Sequence, residues 1–309
     1  AGWECGTLTV PLDRSGAVPG TVTLSVSRAV ATDNPTRSAV LALAGGPGQA
    51  ALPLRETLAE VTAAALAHRD LLVFDQRGTG SSGPLDCPSL NSARSFSTAI
   101  GGCASSLGPA RGLYRTVDSV DDIEALRQAA GYDSLVLFGV SYGTKVAETY
   151  ASLHPDRTEA LLLDSVVLPD GPDPFRRSSL RAVPRVLSDL CANRACRRAT
   201  PNVNADLRTL IAKLRRGTIS GPVIDAAGRQ VTARLDLDDL VQVLLAGDFN
   251  PALRAELPGA MRAALRGDSV PLLRLASRGG TPAAGLAADA DHADFALFLA
   301  TSCEEAAAI

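Results

Sequence analysis

Short apolar runs alternate with helix-periodic stretches over about the first 170 residues of the chain. This alternation is typical of a mostly parallel β-sheet covered by helices. Two leading runs indicate antiparallel strands, and four later runs are apolar enough to be buried strands. The predicted strands are Thr7–Val10, Thr21–Val30, Ser38–Ala44, Leu71–Asp75, Ser134–Gly139 and Ala160–Asp164. Functional groups gather at the carboxyl ends of strands in such a sheet, so candidate chemistry is expected just after the buried strands.

The pattern changes at Pro169, where a turn cluster of proline, aspartate and glycine runs to Pro174. The chain that follows is rich in arginine, alanine and leucine and has helical periodicity. Its predicted helices are Arg177–Ala192, Asn204–Arg215, Leu237–Ala246, Pro251–Arg266 and Phe295–Ala300. Residues 279–294 are expected to form a flexible connection. The pattern therefore predicts an α/β core at residues 1–170 and a helical lid at residues 171–309.

Composition narrows the class of protein. A chain of 309 residues with 46% hydrophobic and 20% charged residues is not disordered, collagen-like or coiled-coil. Its net charge of −3 gives no electrostatic case for nucleic acid or an anionic membrane, so small or uncharged partners are favoured. No apolar run of ~18 residues predicts a membrane span. No metal-ligand constellation, phosphate loop or dinucleotide fingerprint is found, so neither a metal nor a cofactor is predicted.

The six cysteines form an even number, and none has the spacing of a Cys-x-x-Cys pair. Disulfides in an exported protein are favoured, and inert buried thiols are the alternative. The favoured local pairs are Cys87 with Cys103 and Cys191 with Cys196. We therefore expect a secreted or cell-envelope protein whose signal peptide is already missing, since the chain starts at Ala1.

The strongest chemical signal is Gly139-Val140-Ser141-Tyr142-Gly143, which lies between an apolar strand and a helix predicted to reach about Ser152. In a nucleophile elbow the serine occupies a strained turn, so its flanking positions must be small. Gly139 and Gly143 meet this need, and Ser141 is the predicted nucleophile. The helix N-terminus and the backbone N–H of Tyr142 would stabilise an oxyanion. A plain turn is the alternative, but the strand before and the helix after favour catalysis.

Two glycine-rich loops follow earlier strands. Gly45-Gly46-Pro47-Gly48 lies where a second oxyanion donor is expected, and Gly46 is the predicted donor because proline has no N–H. A simple reverse turn is the alternative. In the second loop, Asp75 and Arg77 are expected to pair and fix the chain beside the site, a structural role rather than a chemical one.

These motifs, with the opening Trp3–Asp13 and the segment Asp75–Gly80, resemble the α/β-hydrolase family of secreted tripeptidyl and prolyl aminopeptidases. The resemblance is close over the first 170 residues and loose beyond, where Cys303-Glu304-Glu305 matches again. It implies a lid inserted after the sixth strand and a serine exopeptidase that forms an acyl-enzyme on Ser141 and acts on free N-termini. An esterase or other small-molecule hydrolase, and a non-catalytic binding protein, remain alternatives.

The resemblance also implies an acid and a histidine that follow the lid, and neither is found before Ile309. We therefore expect the C-terminal part of the core to be missing, with an exposed sheet edge and a nearly inactive chain.

The three histidines do not replace the base. His68 lies at the amino end of a strand, His292 belongs to the predicted lid, and His154 would be ~18 Å along the helix from Ser141. Asp164 ends a strand, and the resemblance gives it a structural role.

An aminopeptidase must also bind the substrate ammonium. Buried acids in the lid would do this through charge-assisted hydrogen bonds. Glu305, and secondarily Glu304, are the candidates because they follow Cys303, which a disulfide could hold; a solvated helix face is the alternative.

Overall fold

The computed structural model describes residues 2–33, 35–92, 96–168, 176–225, 227–248, 250–279 and 294–305. The chain divides into two compact units, Ala1–Pro174 with Asp291–Ile309, and Phe175–Ala290. The last segment differs from expectation, because the helix at Phe295–Glu305 belongs to the first unit and not to a lid spanning 171–309. The turn cluster at Pro169 and most of the expected flexible connection lie outside the described residues.

The first unit contains a six-stranded sheet in the order β1-β2-β4-β3-β5-β6. Its strands are β1 (Trp3–Pro11), β2 (Thr21–Ala29), β3 (Ser38–Leu43), β4 (Leu71–Phe74), β5 (Ser134–Val140) and β6 (Thr158–Asp164). The pairs β1–β2 and β2–β4 are antiparallel, and the remaining pairs are parallel. The predicted α/β class and mostly parallel sheet are confirmed.

The apolar runs form strands because both faces of the sheet centre are covered. Every residue of β3 and β4 is buried, as continuous hydrophobic sequence requires in a parallel sheet. At one edge, β6 differs: Leu161 and Leu162 are 37% and 45% exposed. The sheet therefore ends on an apolar strand whose outer side is open to solvent.

Helices of the first unit surround the sheet. They are α1 (Arg55–Thr62), α2 (Ser89–Ser92), α3 (Phe96–Leu107), α4 (Thr116–Ala130), α5 (Tyr142–Leu153) and, after the second unit, α12 (Phe295–Glu305). Short 3-10 turns occur at Leu52–Leu54, Ala63–Ala65, Gly108–Leu113 and Pro155–Arg157. α4 ends at Gly131, which has φ 78°, and α5 begins directly at Ser141.

The second unit has its own apolar core, built mainly by helices. These are α6 (Arg177–Leu190), α7 (Arg194–Ala199), α8 (Val203–Leu214), α9 (Leu237–Ala246), α10 (Pro251–Leu265) and α11 (Val270–Gly279). An antiparallel hairpin of β7 (Ile219–Ile224) and β8 (Gln230–Leu235) lies among them, and the sequence analysis did not predict it. Gly221 and Pro222 interrupt the strand pattern of β7 and hide it from sequence analysis.

Two disulfides join cysteines close in sequence, one in each unit. Cys87 pairs with Cys103 and Cys191 with Cys196, as predicted. Cys5 and Cys303 are free and exposed, so the disulfide expected to hold Cys303 is not formed. Among the described residues, none of the helices has the length and apolar character needed to cross a bilayer.

Candidate active site

Ser141 occupies a strained turn between β5 and α5. Its φ of 53° and ψ of −119° place a non-glycine residue in a conformation that L-amino acids rarely adopt. The turn is fixed from both sides, because Ser141 N donates to Asp164 O at 2.9 Å and Thr144 N donates to Ser141 O at 2.9 Å. The Thr144 hydroxyl also donates to Ser141 O at 2.7 Å and accepts from Val167 N at 2.8 Å. The surrounding hydrogen bonds thus over-determine the strained backbone.

The two glycines that flank Ser141 permit a close approach of backbone segments. A Cβ on Gly139 would lie 2.5 Å from the carbonyl oxygen of Gly143. A Cβ on Gly143 would lie 2.4 Å from the carbonyl oxygen of Leu43, at the end of β3. Any side chain at either position would push α5 away from the sheet. The small residues predicted from the motif are therefore required by packing.

The Gly45–Gly48 loop lies directly against this turn. A Cβ on Gly45 would be 3.1 Å from the Cβ of Ser141, and Gly45 N donates to the Gln49 side chain at 3.2 Å. Gly46 has φ 106°, which favours glycine. Over the described residues, the backbone N–H groups of Gly46 and Tyr142 have no protein acceptor.

Asp75 holds loops rather than reacting. Its carboxylate accepts from the backbone N–H groups of Ala51 and Leu52, both at 2.9 Å, and from Ser81 N at 2.9 Å. A Cβ on Gly80 would lie 2.2 Å from Asp75 Oδ2, so the loop wraps tightly around the carboxylate. These bonds tie the segment after Gly48 to the end of β4.

Arg77 does not pair with Asp75, and that expectation is wrong. Its guanidinium forms a bidentate pair with Asp122 on α4, with both N–O distances 2.7 Å. It also donates to the carbonyl oxygens of Leu12 and Leu113 at 3.0 and 2.8 Å. Both charged side chains are almost completely buried, and Asp122 raises the pKa of Arg77 against the opposing effect of burial. Nothing in the sequence pattern identified Asp122 as the partner, since it lies 45 residues away.

The two described histidines lie away from Ser141. His68 is exposed and its ring Nδ1 is 3.0 Å from Asp33 O. His154 follows the last residue of α5, and its ring packs on Tyr150 with centroids 4.9 Å apart. His292 lies outside the described residues. Within the described ranges, no side chain hydrogen-bonds to the Ser141 hydroxyl.

Glu305 and Glu304 lie on α12 in the first unit, and this contradicts the lid location on which their expected role depended. Glu305 Oε2 is 2.6 Å from Lys145 Nζ on α5, and its Oε1 accepts from the backbone N–H of Thr116. Glu304 pairs with Arg111 at 3.1 Å. Because each carboxylate already has a cationic partner, the contacts do not favour binding of a substrate ammonium.

Sequence reasoning missed the Lys145–Glu305 pair and the role of Asp294. Asp294 directly precedes α12, and its carboxylate accepts from Leu297 N at 2.8 Å. An aspartate before an apolar helix is a start signal that could have been read. For Lys145 no local signal exists, because its partner is 160 residues away. The described residues contain no group of three or more His, Cys, Asp or Glu side chains that could hold a metal ion.

Fold and sequence together define the class of this protein. Residues 38–202, which include Ser141 and the Gly45–Gly48 loop, match the alpha/beta hydrolase fold family. The match covers more than half of the chain, and the sheet order and strand directions agree with it. The chain therefore belongs to the alpha/beta hydrolase family.

Several relatives within this family are peptidases by name. A tripeptidyl aminopeptidase of Streptomyces coelicolor is 29% identical over 191 residues, covering 54% of this chain and 35% of the relative. The serine protease Hip1 of Mycobacterium tuberculosis is 30% identical over 197 residues, covering 55% and 37%. A proline iminopeptidase of Neisseria gonorrhoeae is 29% identical over 138 residues, covering 44% and 34%. The chain spans about a third of the length of these relatives.

Proposed function

We propose that this hydrolase is a serine aminopeptidase that forms an acyl-enzyme on Ser141. The strained turn at Ser141, with the Gly45–Gly48 loop against it, is the observation that carries the proposal. Strain of this kind is costly and persists where the surrounding structure enforces it, which is common at functional sites. The peptidase names of the relatives favour peptides with a free N-terminus over other acyl substrates.

In this mechanism the Ser141 hydroxyl oxygen attacks the carbonyl carbon of the substrate, and its proton passes to a base. The oxygen of the resulting tetrahedral intermediate accepts from the N–H groups of Gly46 and Tyr142. The N-terminus of α5 adds positive potential at the same place. Removing one such donor typically costs about 10²- to 10³-fold in kcat. The tetrahedral intermediate then collapses: its C–N bond breaks, the amine leaves with the proton that the base took from Ser141, and water hydrolyses the acyl-enzyme.

The general base of this mechanism is neither of the two described histidines. His68 and His154 lie away from Ser141, and we expect the base and its acid partner to come from chain beyond these 309 residues. Without a base the serine hydroxyl stays protonated and is a poor nucleophile. The 309-residue chain should therefore turn over substrate orders of magnitude more slowly than the protein expressed from its complete gene. Equal rates would contradict this. The variant His292→Ala would then show whether His292 is the base, because its activity would be lost if it is and kept if it is not.

The function is tested with three substrates and two serine variants. A free-amine peptide anilide, its N-blocked analogue and a short-chain ester are assayed on the protein expressed from its complete gene. Ser141→Ala should abolish turnover, whereas Ser165→Ala should retain it. Ser165 is a matched control because it also has a positive φ, 60°, and its hydroxyl donates to the adjacent Asp164, its one partner among the described residues. Preference for the N-blocked peptide or the ester would favour another acyl hydrolase, and activity that survives Ser141→Ala would exclude the mechanism.

We propose that the protein is exported or lies in the cell envelope. The two disulfides support this, because such bonds persist in oxidising compartments. Alkylation of the native protein under denaturing, non-reducing conditions should label Cys5 and Cys303 and leave the four paired cysteines unmodified. Labelling of all six would contradict the location.

The open edge of β6 supports a further part of the proposal, that additional strands complete the core. Parallel strands are normally covered on both faces, yet Leu161, Leu162 and Val166 are exposed at this edge. Hydrogen exchange compares the amides of β6 in the 309-residue chain and in the protein expressed from its complete gene. Slower exchange in the second protein would support the added strands, and identical exchange would contradict them.

A further inference from the structure

Helix α12 contacts both backbone segments that supply the proposed oxyanion donors. At its N-terminal end, Asp294 N donates to Gly48 O at 2.8 Å. A Cβ on Gly48 would lie 2.3 Å from Asp294 O, so the two backbones pack directly on each other. Gly48 lies two residues after Gly46, the proposed donor. The start of α12 thus abuts the loop that presents one donor.

The Asp294 side chain fixes where this contact is made. Its Oδ1 accepts from Leu297 N at 2.8 Å in the first turn of α12, and its Oδ2 accepts from Leu85 N at 2.9 Å. Burial raises the pKa of this carboxyl, and the backbone hydrogen bonds oppose that rise. One side chain therefore caps the helix and ties it to the segment that leads to Cys87.

The other end of α12 reaches the second donor. Glu305 bonds to Lys145 Nζ, one turn after Ser141 on α5, and to the backbone N–H of Thr116. The Thr116 hydroxyl hydrogen-bonds to the Tyr142 hydroxyl at 2.8 Å. The Tyr142 side chain is buried, and this burial raises its pKa, which keeps the phenol neutral. Glu305 is thus linked to α5 both through Lys145 and through Tyr142.

The Gly45–Gly48 loop, the start of α5 and helix α12 meet around a small cavity. It has a volume of about 10 Å³, and its lining includes Gly48 of the loop, Tyr142 of α5, and Leu297 and Thr301 of α12. The Thr301 hydroxyl donates to Tyr114 O at 2.7 Å, which fixes the middle of the helix. Ala296 packs against the Cys87–Cys103 disulfide. The helix is therefore anchored along its length beside both donor segments.

We infer that α12 acts as a strap that sets the spacing of the two oxyanion donors, with Asp294 and Glu305 as positioning residues. This inference rests on the proposed function and goes beyond it, because neither residue touches the reacting atoms. Catalytic groups must be held within about 0.5 Å of their productive positions. Gly46 has no side chain to anchor it, and the packing of Gly48 against Asp294 adds a contact that fixes the loop close to the donor.

Two alanine variants test the strap in the protein expressed from its complete gene. Asp294→Ala removes the cap and the bond to Leu85, and Glu305→Ala removes the link to Lys145 and Thr116. Each should lower kcat on the peptide anilide by roughly 10- to 100-fold, because misplaced donors stabilise the transition state less well. KM should change little, since these donors act in the transition state. Asp294→Asn and Glu305→Gln each keep one of the two acceptor oxygens and should restore part of kcat.

Asp236→Ala is the matched control for loss of a helix cap. Asp236 caps α9 in the second unit by accepting from Asp239 N at 2.9 Å. It should lower Tm through the loss of its cap but leave kcat unchanged. Thr116→Val serves if the alanine variants do not fold, because it keeps the side-chain shape and the backbone bond to Glu305 while it breaks the link to Tyr142. It should lower kcat several-fold, and Thr116→Ser should restore it.

The outcomes separate the strap from the function. Wild-type kcat in folded Asp294→Ala, Glu305→Ala or Thr116→Val, measured where Ser141→Ala is inactive, overturns the strap and leaves the function standing. A loss of activity fully accounted for by the unfolded fraction, or seen equally in Asp236→Ala, also overturns it. Turnover that does not depend on Ser141 overturns both. A fall in kcat that exceeds the control and is restored, in part or in full, by the conservative variants supports the strap.

Discussion

In the variant Gly143→Ala, the added Cβ would lie 2.4 Å from the carbonyl oxygen of Leu43 and 2.8 Å from that of Ala44. Both oxygens belong to backbone at the end of β3, so no rotation of a side chain relieves the contact. To reach ordinary van der Waals separation, the start of α5 must move away from β3 by about 1 Å. The same movement carries Ser141 and the N–H of Tyr142, which directly precede Gly143.

The magnitude follows from two opposing effects. Adding a carbon to a packed core costs about 1–3 kcal/mol. Alanine gains at most about 1 kcal/mol over glycine within a helix. With the full gain subtracted, the net change is a loss of about 0–2 kcal/mol, and each kcal/mol lowers Tm by ~2–4 °C in a unit of this size. Activity should fall further, by about 10²-fold, because a displacement of about 1 Å misaligns the nucleophile.

Thermal unfolding followed by circular dichroism measures the first effect, and anilide turnover measures the second. Gly101→Ala is the matched control, since Gly101 lies in α3 of the same unit and a Cβ there meets nothing within 4 Å. The control should keep its activity and raise Tm slightly. Wild-type Tm and kcat in Gly143→Ala, or an equal loss in both variants, would refute the packing argument.

Three further changes probe the first unit. Hydrogen bonding to Arg127 lowers the pKa of Glu124 from 4.5 to about 2. Glu124→Gln should therefore lower the free energy of unfolding at pH 7 by about 1–2 kcal/mol, a value reduced to allow for partial exposure. This contribution is present above pH 4.5 and is lost as pH falls toward 2. The free energies of unfolding of the wild-type protein and of Glu124→Gln, measured with urea, should therefore become equal near pH 2. Asp122→Ala should cost about 3–5 kcal/mol, because it leaves Arg77 buried without its partner. Because an open edge strand favours pairing, we expect the 309-residue chain to self-associate through β6. Leu162→Lys should reduce this association in sedimentation experiments, because a charge on an edge strand opposes pairing.

Each of these changes has a result that would contradict it. A stability difference for Glu124→Gln that persists at pH 2 would show that the ionised carboxylate is not the cause. Asp133→Ala is the control for Asp122→Ala, because it removes an exposed ion pair with Arg37. An equal loss of unfolding free energy in the two variants would show that burial of the Arg77–Asp122 pair has no effect. Unchanged association of Leu162→Lys would show that the β6 edge is not the contact.

The strands and the Ser141 turn could be predicted because their signals are local. β3 and β5 are continuous apolar runs, and the glycines around Ser141 reflect a steric need within a few residues of the serine. The favoured disulfides were also local, at separations of 16 and 5 residues. The hairpin β7–β8 was missed because Gly221 and Pro222 are typical strand breakers.

Charge partners were the weakest part of the prediction. Asp75 and Arg77 are two residues apart, and this closeness suggested a pair. Residues i and i+2 of an extended chain point to the same side, but Asp75 and Arg77 lie in a tight loop that turns their side chains toward different environments. Backbone N–H groups surround Asp75, whereas Arg77 reaches Asp122 on α4. Proximity in sequence therefore did not predict contact in space.

By itself the sequence determined the α/β class, the six strands, the serine turn with its glycines, and a helix that begins at Phe295, predicted to Ala300 and observed to Glu305. Only the tertiary structure decided that this helix joins the first unit, that Glu305 pairs with Lys145, and that β6 forms the exposed edge. The physical reason is the separation along the sequence over which each kind of interaction acts. Periodicity and backbone sterics act over a few residues and are written locally, whereas ion pairs and helix docking join positions more than a hundred residues apart and depend on how the whole chain packs.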